Sequence, residues 1–508
     1  MAKIISSAEA ANLIKDGWSI AVSGFVGSGH PEALSSALEE RFLNEGHPAD
    51  ISLMYSAGQG DGKSRGLNHF AHKGMLRRVI GGHWNWAPEL GAMALRNEIE
   101  AYNLPQGTIT HMYRAQAGKQ AGVFTKVGLG TFVDPRLEGG RLNKITEEPL
   151  VELVELDGEE WLRYRCVSFD AVLLRGTSAD EEGNISVEKE AVALELLAMA
   201  QAARSSGGIV IVQVERLCKN GDIKPRDVVV PGILVDYVVK AEESLHWQTY
   251  AQQYDPAFAG QERCCLEQLP PMKLDARKVI ARRAYMELGD GAVVNLGIGI
   301  PEGVASVAQE KGRSDALTLT VEAGGIGGVP AGGLNFGAVY NAHAMLEHSS
   351  QFDFYDGGGL DACCLGFAQA DFTGNVNVSK FNGRVAGCGG FINITQNTKK
   401  VLFCGTFTAG GLDVALEDGQ VHILKEGRIP KFTKTVEQVT FSGPSAAASG
   451  KSVMYITERA VFTLCPEGMV LTEIAPGVTL EKDVLAHMEF APLISDKLKL
   501  MPEELFIP

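Results

Sequence analysis

The chain has 508 residues, 45% hydrophobic and 21% charged, the balance of a soluble globular protein that is too long for one core. Its formal net charge of −16 argues against broad nucleic-acid binding, and no uninterrupted apolar run reaches membrane-spanning length. Nine cysteines without a C-x-x-C pair, four of them in the adjacent pairs Cys264-Cys265 and Cys363-Cys364, argue against a disulfide framework or a zinc ribbon; with no apolar signal segment at the N-terminus, a reducing cytoplasm is expected.

In chain order, residues 7–15 read as a helix and lead to Asp16-Gly17, a short β run, and the glycine turn Gly24-Phe25-Val26-Gly27 with Gly29-His30-Pro31-Glu32. Strand, glycine turn and a helix with Pro in its first turn are expected there. A lone histidine such as His30 is most often a satisfied structural residue, so no catalysis is assigned to it. Leu104-Pro105-Gln106-Gly107-Thr108 reads, on its residues alone, as a type II turn centred on Gln106-Gly107. Residues 191–203 are helical in pattern and residues 208–214 are a β run. The polar stretch 242–274, with Tyr254-Asp255-Pro256 and Pro270-Pro271, reads as a connection. A helix-like run at 276–288 then leads to Asp290-Gly291 and Gly297-Ile298-Gly299-Ile300-Pro301-Glu302, a Gly-x-Gly turn that is weak as a phosphate signal by itself.

Residues 317–321, Leu-Thr-Leu-Thr-Val, alternate as a strand and end at Glu322. The next stretch, 324–333, holds six glycines in ten residues. A carboxylate at a strand's carboxyl end, followed by backbone with no Cβ in the way, is where an open α/β sheet places a ligand. Further on, Gly387-Cys388-Gly389-Gly390 reads alone as a tight turn.

Two elements recur in the same order. The Asp16 segment pairs with the Asp290 segment, and Ala179-Asp180-x-x-Gly183-Asn184-Ile185-Ser186-Val187 pairs with Ala370-Asp371-x-x-Gly374-Asn375-Val376-Asn377-Val378. The landmarks lie 164 residues apart in the first half (16 to 180) and 81 apart in the second (290 to 371), so the first half carries roughly eighty extra residues. This predicts a duplicated α/β architecture, two related open α/β domains at 1–245 and 274–508 joined by a linker at 246–273.

The segments Val321-Glu322-Ala323-Gly324, Gly327-Gly328-Val329-Pro330-Ala331-Gly332-Gly333, Phe352-Asp353-Phe354-Tyr355-Asp356-Gly357-Gly358-Gly359-Leu360, Gly389 to Gln396, Gly405 to Gly411 and Tyr455-Ile456-Thr457-Glu458-Arg459 together resemble the family I coenzyme A transferases, in their single-chain acetate/propionate branch. The resemblance covers nearly the whole chain. It implies the two-domain CoA-transferase fold, like the two subunits of heteromeric relatives fused in one chain, with the active site between them. It assigns Glu322 as the nucleophile that carries a glutamyl-CoA thioester in a ping-pong reaction. Gln106 would line the site, Gly389 and Gly390 would serve the oxyanions, and the Gly24 turn would face the glutamate from the first domain. Gly297, Gly299, Pro301, Gly387 and Gly389 would contact CoA. CoA thioester is then a substrate, with no cofactor and no metal; acyl-CoA and carboxylic acids are the partners, with no nucleic acid and no membrane, in a homo-oligomer. The ketoacid-specific branch reads Glu-Asn-Gly where this chain has Glu322-Ala323-Gly324, which favours small monocarboxylates such as acetate or propionate. His30 departs from relatives with Ile at that place. The nearest rival reading is an acyl-CoA hydrolase on the same scaffold. A dehydrogenase is disfavoured because no full G-x-G-x-x-G is present, and a DNA-binding regulator because no helix-turn-helix or basic segment is present.

Overall fold

The structure, a computed structural model, describes residues 2–265 and 271–508. Two compact units form: Met1–Cys264 with Val321–Asp353 and Gly383–Asn393, and Cys265–Thr320 with Phe354–Asn382 and Ile394–Pro508.

The first unit is built on an eight-stranded sheet of β1 (Lys3–Ile5), β2 (Ser19–Val22), β3 (Ile51–Tyr55), β4 (Leu76–Gly81), β5 (Glu100–Asn103), β6 (Ala171–Arg175), β7 (Ile209–Val214) and β8 (Tyr237–Lys240), in the order β1-β8-β7-β6-β2-β3-β4-β5. Every pairing is parallel. Successive side chains of a strand point to opposite faces. Thus Ala21 of β2 joins one core cluster while Ile20 and Val22 join the other, and Met54 and Leu53 of β3 divide in the same way. With both faces covered, the strands read as apolar runs, and all five residues of β6 are buried. A small antiparallel sheet, Val123–Thr125, Val151–Leu156 and Glu159–Tyr164, accounts for part of the extra length between β5 and β6.

The second unit carries β9 (Ala292–Leu296), β10 (Leu317–Thr320), β11 (Ala362–Leu365), β12 (Lys400–Cys404), β13 (Ser452–Ile456), β14 (Ala460–Cys465), β15 (Gly468–Ile474) and β16 (Leu493–Leu500). They run in the order β10-β9-β11-β12-β13-β14-β15-β16. The duplication is visible strand by strand. The order β8-β7-β6-β2-β3 of the first unit repeats as β13-β12-β11-β9-β10 in the second, again all parallel. The second repeated motif forms the same hairpin in each unit, pairing Ala179 with Ile185 and Ala370 with Val376. In both, the aspartate Oδ1 accepts the N–H of the asparagine four residues on, from Asn184 to Asp180 at 2.9 Å and from Asn375 to Asp371 at 3.2 Å. The asparagine Oδ1 then accepts a glycine N–H, from Gly232 at 2.9 Å and from Gly443 at 3.0 Å.

Four expectations need correction. The prolines sit outside the helices rather than in the first turn: Pro31 caps Glu32–Glu45, its carbonyl accepting from Leu34 and Ser35, and Pro301 precedes Glu302, the cap of Gly303–Glu310. The helix expected at 191–203 runs Leu196–Ser206, because Leu194 adopts a left-handed φ of 55° and breaks the earlier turn. Of the connection expected at 246–273, residues 266–270 lie outside the described residues. Residues 246–264 belong to the first unit, where Gln248 Nε2 donates to the Lys189 carbonyl at 2.7 Å and Tyr250 Oη to Glu32 at 2.7 Å. The units also do not follow a single cut of the chain, since residues 321–353 and 383–393 of the later sequence complete the first unit's core. Among the described residues no helix is long and apolar enough to cross a membrane.

Candidate active site

β10 ends at Thr320, two residues before Glu322. The Val321 N–H donates to the Gly325 carbonyl at 2.9 Å and the Gly324 N–H to the Val321 carbonyl at 3.0 Å, so Glu322 and Ala323 are the middle residues of a tight turn. Gly324 has φ 119°, and a Cβ there would stand 2.1 Å from the Leu346 carbonyl oxygen, so the turn closes only with glycine. Val321 and Ala323 are buried while Glu322 is half-buried. The apolar neighbours anchor the turn and leave the carboxylate partly accessible.

Gln106 is the first residue of the helix Gln106–Ala117, capped by Pro105, and not the centre of a type II turn. It is buried, at 2% exposure. Its backbone N–H donates to the Gly389 carbonyl at 2.9 Å, and its Oε1 lies 3.6 Å from where a Cβ on Gly389 would stand. The loop 387–390 is clamped onto the end of β4. Gly389 N–H donates to the Gly82 carbonyl at 2.7 Å, and Cys388 N–H to Asn103 Oδ1 at 2.9 Å. Asn103 Nδ2 holds the Gly81 and Gly82 carbonyls at 2.9 and 2.6 Å. Gly387 and Gly389 take φ 82° and 53°, and a Cβ on Gly387 would meet Gly82 and His83 backbone at 2.8 Å. Of the two expected oxyanion amides, Gly389's is therefore already engaged. Among the described residues no acceptor takes the Gly390 N–H.

These pieces share one core cluster. Val321 and Ala323 flank Glu322, Leu104 precedes Pro105-Gln106, and Cys388 and Ile392 bracket the Gly389 pair. The early glycine turn joins them through Phe25, whose ring stacks on Phe336 at 5.8 Å and meets the His348 ring at 5.9 Å. His83 lies beside Gly389, and desolvation of its ring, with Arg384 nearby, pulls its pKa down to about 4, so it is neutral at pH 7.

Gly297, Gly299 and Pro301 are in the second unit, in the turn between β9 and the helix Gly303–Glu310. Gly299 has φ 91° with open space at its Cβ position, and Ile298 is 42% exposed, so this turn presents backbone to solvent. Burial raises the pKa of Glu302 in the same turn, and the Gly299 N–H bonded to its carboxylate works against that.

The coenzyme A transferase family profile matches residues 4–241. The caffeate CoA-transferase of Acetobacterium woodii is 49% identical across all of this chain and 98% of its own length. The acetate CoA-transferase YdiF of Escherichia coli (strain K12) is 44% identical over 99% of this chain and 95% of its own. This chain belongs to the coenzyme A transferase family. The crystal structure of the acyl-CoA transferase YdiF apoenzyme from Escherichia coli O157:H7 superposes with TM-score 0.95 at 43% identity, over 100% of this chain and 96% of that one. The thioester complex of the same E. coli enzyme with CoA superposes with TM-score 0.94. The protein is a CoA-transferase of α/β fold.

For this transferase the sequence reading missed the buried side chains around Gln106. Gln106 Nε2 lies 2.9 Å from His348 Nε2, and His348 Nδ1 lies 2.6 Å from Glu195 Oε2. Ser56 Oγ donates to the other oxygen of Glu195. All four residues are at most 2% exposed. His348 precedes a segment that does carry the family resemblance. Glu195 looked like one more residue of a helix, and nothing local marks either as a partner of Gln106. His30, left unassigned, is fully engaged, its Nδ1 2.6 Å from Gln59 Oε1 and its Nε2 2.8 Å from Ser35 Oγ.

Proposed function

We propose that this transferase moves CoA between short-chain acyl-CoA and small monocarboxylic acids through a covalent glutamyl-CoA thioester on Glu322. The observation that carries the reading is the placement of Glu322, half-buried in a glycine-closed turn at a strand's carboxyl end, on the core cluster that also seats Gln106 and Gly390.

A Glu322 carboxylate oxygen attacks the thioester carbonyl carbon. The C–S bond breaks, CoA leaves as thiolate, and a mixed anhydride remains. The thiolate attacks the Glu322 carboxyl carbon and the C–O bond breaks, releasing the first acid as its carboxylate. A second carboxylate runs the steps backwards. No proton is gained or lost in the cycle, so the barriers depend on holding oxyanions rather than on a general acid. Gln106's amide and the Gly390 N–H are the donors for that, and losing one such donor costs about 3–4 kcal/mol of barrier. Gly297, Gly299 and Pro301 are proposed to meet the CoA moiety, with Gly387 and Gly389 shaping the backbone near the thioester. A homo-oligomeric, cytoplasmic enzyme without cofactor or metal completes the reading.

The test is adduct mapping. Protein incubated with acyl-CoA but no acceptor should carry CoA on the peptide containing Glu322, and Glu322→Ala should lose transfer to background while still binding CoA. An adduct on Cys388 would overturn the reading; burial pushes that thiol far up, which suppresses the thiolate. A steady-state grid of donors and acceptors sets the substrate class, with acetate, propionate, a dicarboxylate and a hydroxycinnamate as acceptors. Parallel double-reciprocal lines with the small acids are expected. Activity confined to the dicarboxylate or the aromatic acid would reject the small-acid assignment. Thioester loss without any acceptor, at the transfer rate, would favour the hydrolase.

A further inference from the structure

Three contacts join the buried chain Ser56–Glu195–His348–Gln106. A carboxamide nitrogen only donates, so His348 Nε2 must accept from Gln106 Nε2 at 2.9 Å. The ring proton then sits on Nδ1, where the Glu195 carboxylate stands at 2.6 Å. Ser56 Oγ donates to the other carboxylate oxygen, so Glu195 is held from both sides. The His348 ring is itself fixed between Phe25 at 5.9 Å and Phe352 at 5.4 Å, and its backbone N–H donates to the Leu194 carbonyl at 3.2 Å.

We infer that His348, oriented by Glu195, is a positioning residue for CoA transfer that fixes the side-chain amide of Gln106. With one N–H engaged by His348, Gln106 keeps one N–H, and its Oε1 lies on the side of Gly389. Were the amide to turn over, an oxygen lone pair would face His348's lone pair, and the N–H arrangement offered to a developing oxyanion would change. Glu195, by holding the ring proton on Nδ1, favours an accepting Nε2 and with it the donating orientation of the amide. The side chain that touches substrate is Gln106; His348 and Glu195 act only through it. The inference rests on the reading of Gln106 as an oxyanion donor.

A double-mutant cycle on the full-length enzyme separates the two, because residues acting as a unit are non-additive. Gln106→Ala should lower kcat by about 100- to 1,000-fold, the effect of one lost oxyanion donor. His348→Ala should lower kcat by roughly 10- to 100-fold, bounded by the same donor, with KM for acyl-CoA changed less than about threefold. Added to Gln106→Ala, it should cost less than about threefold more. Glu195→Gln, which keeps the size of the side chain and removes the charge that holds the Nδ1 proton, should follow the same pattern and serves if His348→Ala does not fold. A Gln106→Ala enzyme at wild-type rate would sink the donor reading and the inference with it. A Gln106→Ala defect on which either second change adds its full factor would sink the inference alone.

Discussion

At the scale of single residues, burial decides which charges the first unit tolerates. His30 is 1% exposed, and burial pulls its pKa from 6.5 to about 4. The unfolded chain takes up that proton near 6.5 and the folded chain only near 4, so between these values the unfolded state binds more protons and stability falls as pH falls. The full loss is on the order of 3 kcal/mol. Burial works to raise neighbouring Glu32, but hydrogen bonds from His69 and Tyr250 and the charges of His30 and His69 outweigh it and bring it from 4.5 to about 2. Its contribution is present above 4.5 and is lost between there and about 2. His69 works in the opposite sense. Burial lowers its pKa, the carboxylates of Glu32 and Glu39 raise it further, and its contribution is complete below the ordinary histidine value and fades as pH climbs through the raised one. Melting temperature measured from pH 7 to pH 4 should therefore decline below about 6.5, and His30→Gln should lessen that decline, the rest being carried by groups such as His83 that burial shifts alike. Superimposable slopes for wild type and variant would remove His30 from the account.

At the scale of elements, the loop 387–390 depends on one side chain that precedes it by nearly three hundred residues. Asn103, fully buried at the end of β5, donates to the Gly81 and Gly82 carbonyls and accepts from the Cys388 N–H. Asn103→Ala would leave the buried Cys388 N–H without its acceptor and take one donor from each of the Gly81 and Gly82 carbonyls, which keep Leu104, Trp84 and Gly389, a loss of about 1–3 kcal/mol. Asn103→Asp keeps the acceptor for Cys388 but sets a buried carboxylate oxygen against the Gly81 and Gly82 carbonyls, so its loss should be at least as large. Urea denaturation reads the stability change. Transfer activity in native buffer should fall further than stability does, because the loop carries Gly390 and seats Gln106; an unchanged kcat in a destabilised Asn103→Ala enzyme would show the loop to be mere packing. The same elements show what a sequence can and cannot disclose. The strand into Glu322 is legible because alternation has a period, and its turn because Gly324 is required by its φ of 119°. The two Asp-x-x-Gly-Asn hairpins are legible because each aspartate bonds backbone only a few residues away. The His348–Glu195 bond joins residues 153 apart and the His348–Gln106 bond residues 242 apart. Each is made by tertiary packing between elements whose local patterns are indifferent to it. Gln106 illustrates the other failure: Pro-Gln-Gly suits a turn and a helix start equally, and only the clamp of Gly389's carbonyl on its N–H selects the helix.

At the scale of the whole molecule, a duplicated fold has become interleaved. The two sheets repeat one strand order, which would suit two independent halves. The first unit's main core, however, takes Val321, Ala323, Phe336, Val339, Cys388 and Ile392 from beyond residue 264. Four of these are large apolar side chains, and burying each contributes about 1.5–3 kcal/mol, so together they supply roughly 6–12 kcal/mol. That is comparable with the whole net stability of a typical domain, about 5–15 kcal/mol. The segments that bring the candidate nucleophile and the Gly390 amide thus also complete the fold around them, and a stable first unit without a site is not available to this chain. Residues 1–264 expressed alone should lack a cooperative thermal transition and should bind a hydrophobic dye. Co-expression with residues 265–508 should restore a soluble product with a cooperative melt, because the missing core residues return in trans. A free 1–264 fragment that unfolds in one sharp transition would show that the later segments merely rest on a finished domain, and the coupling of site to core would fail with it.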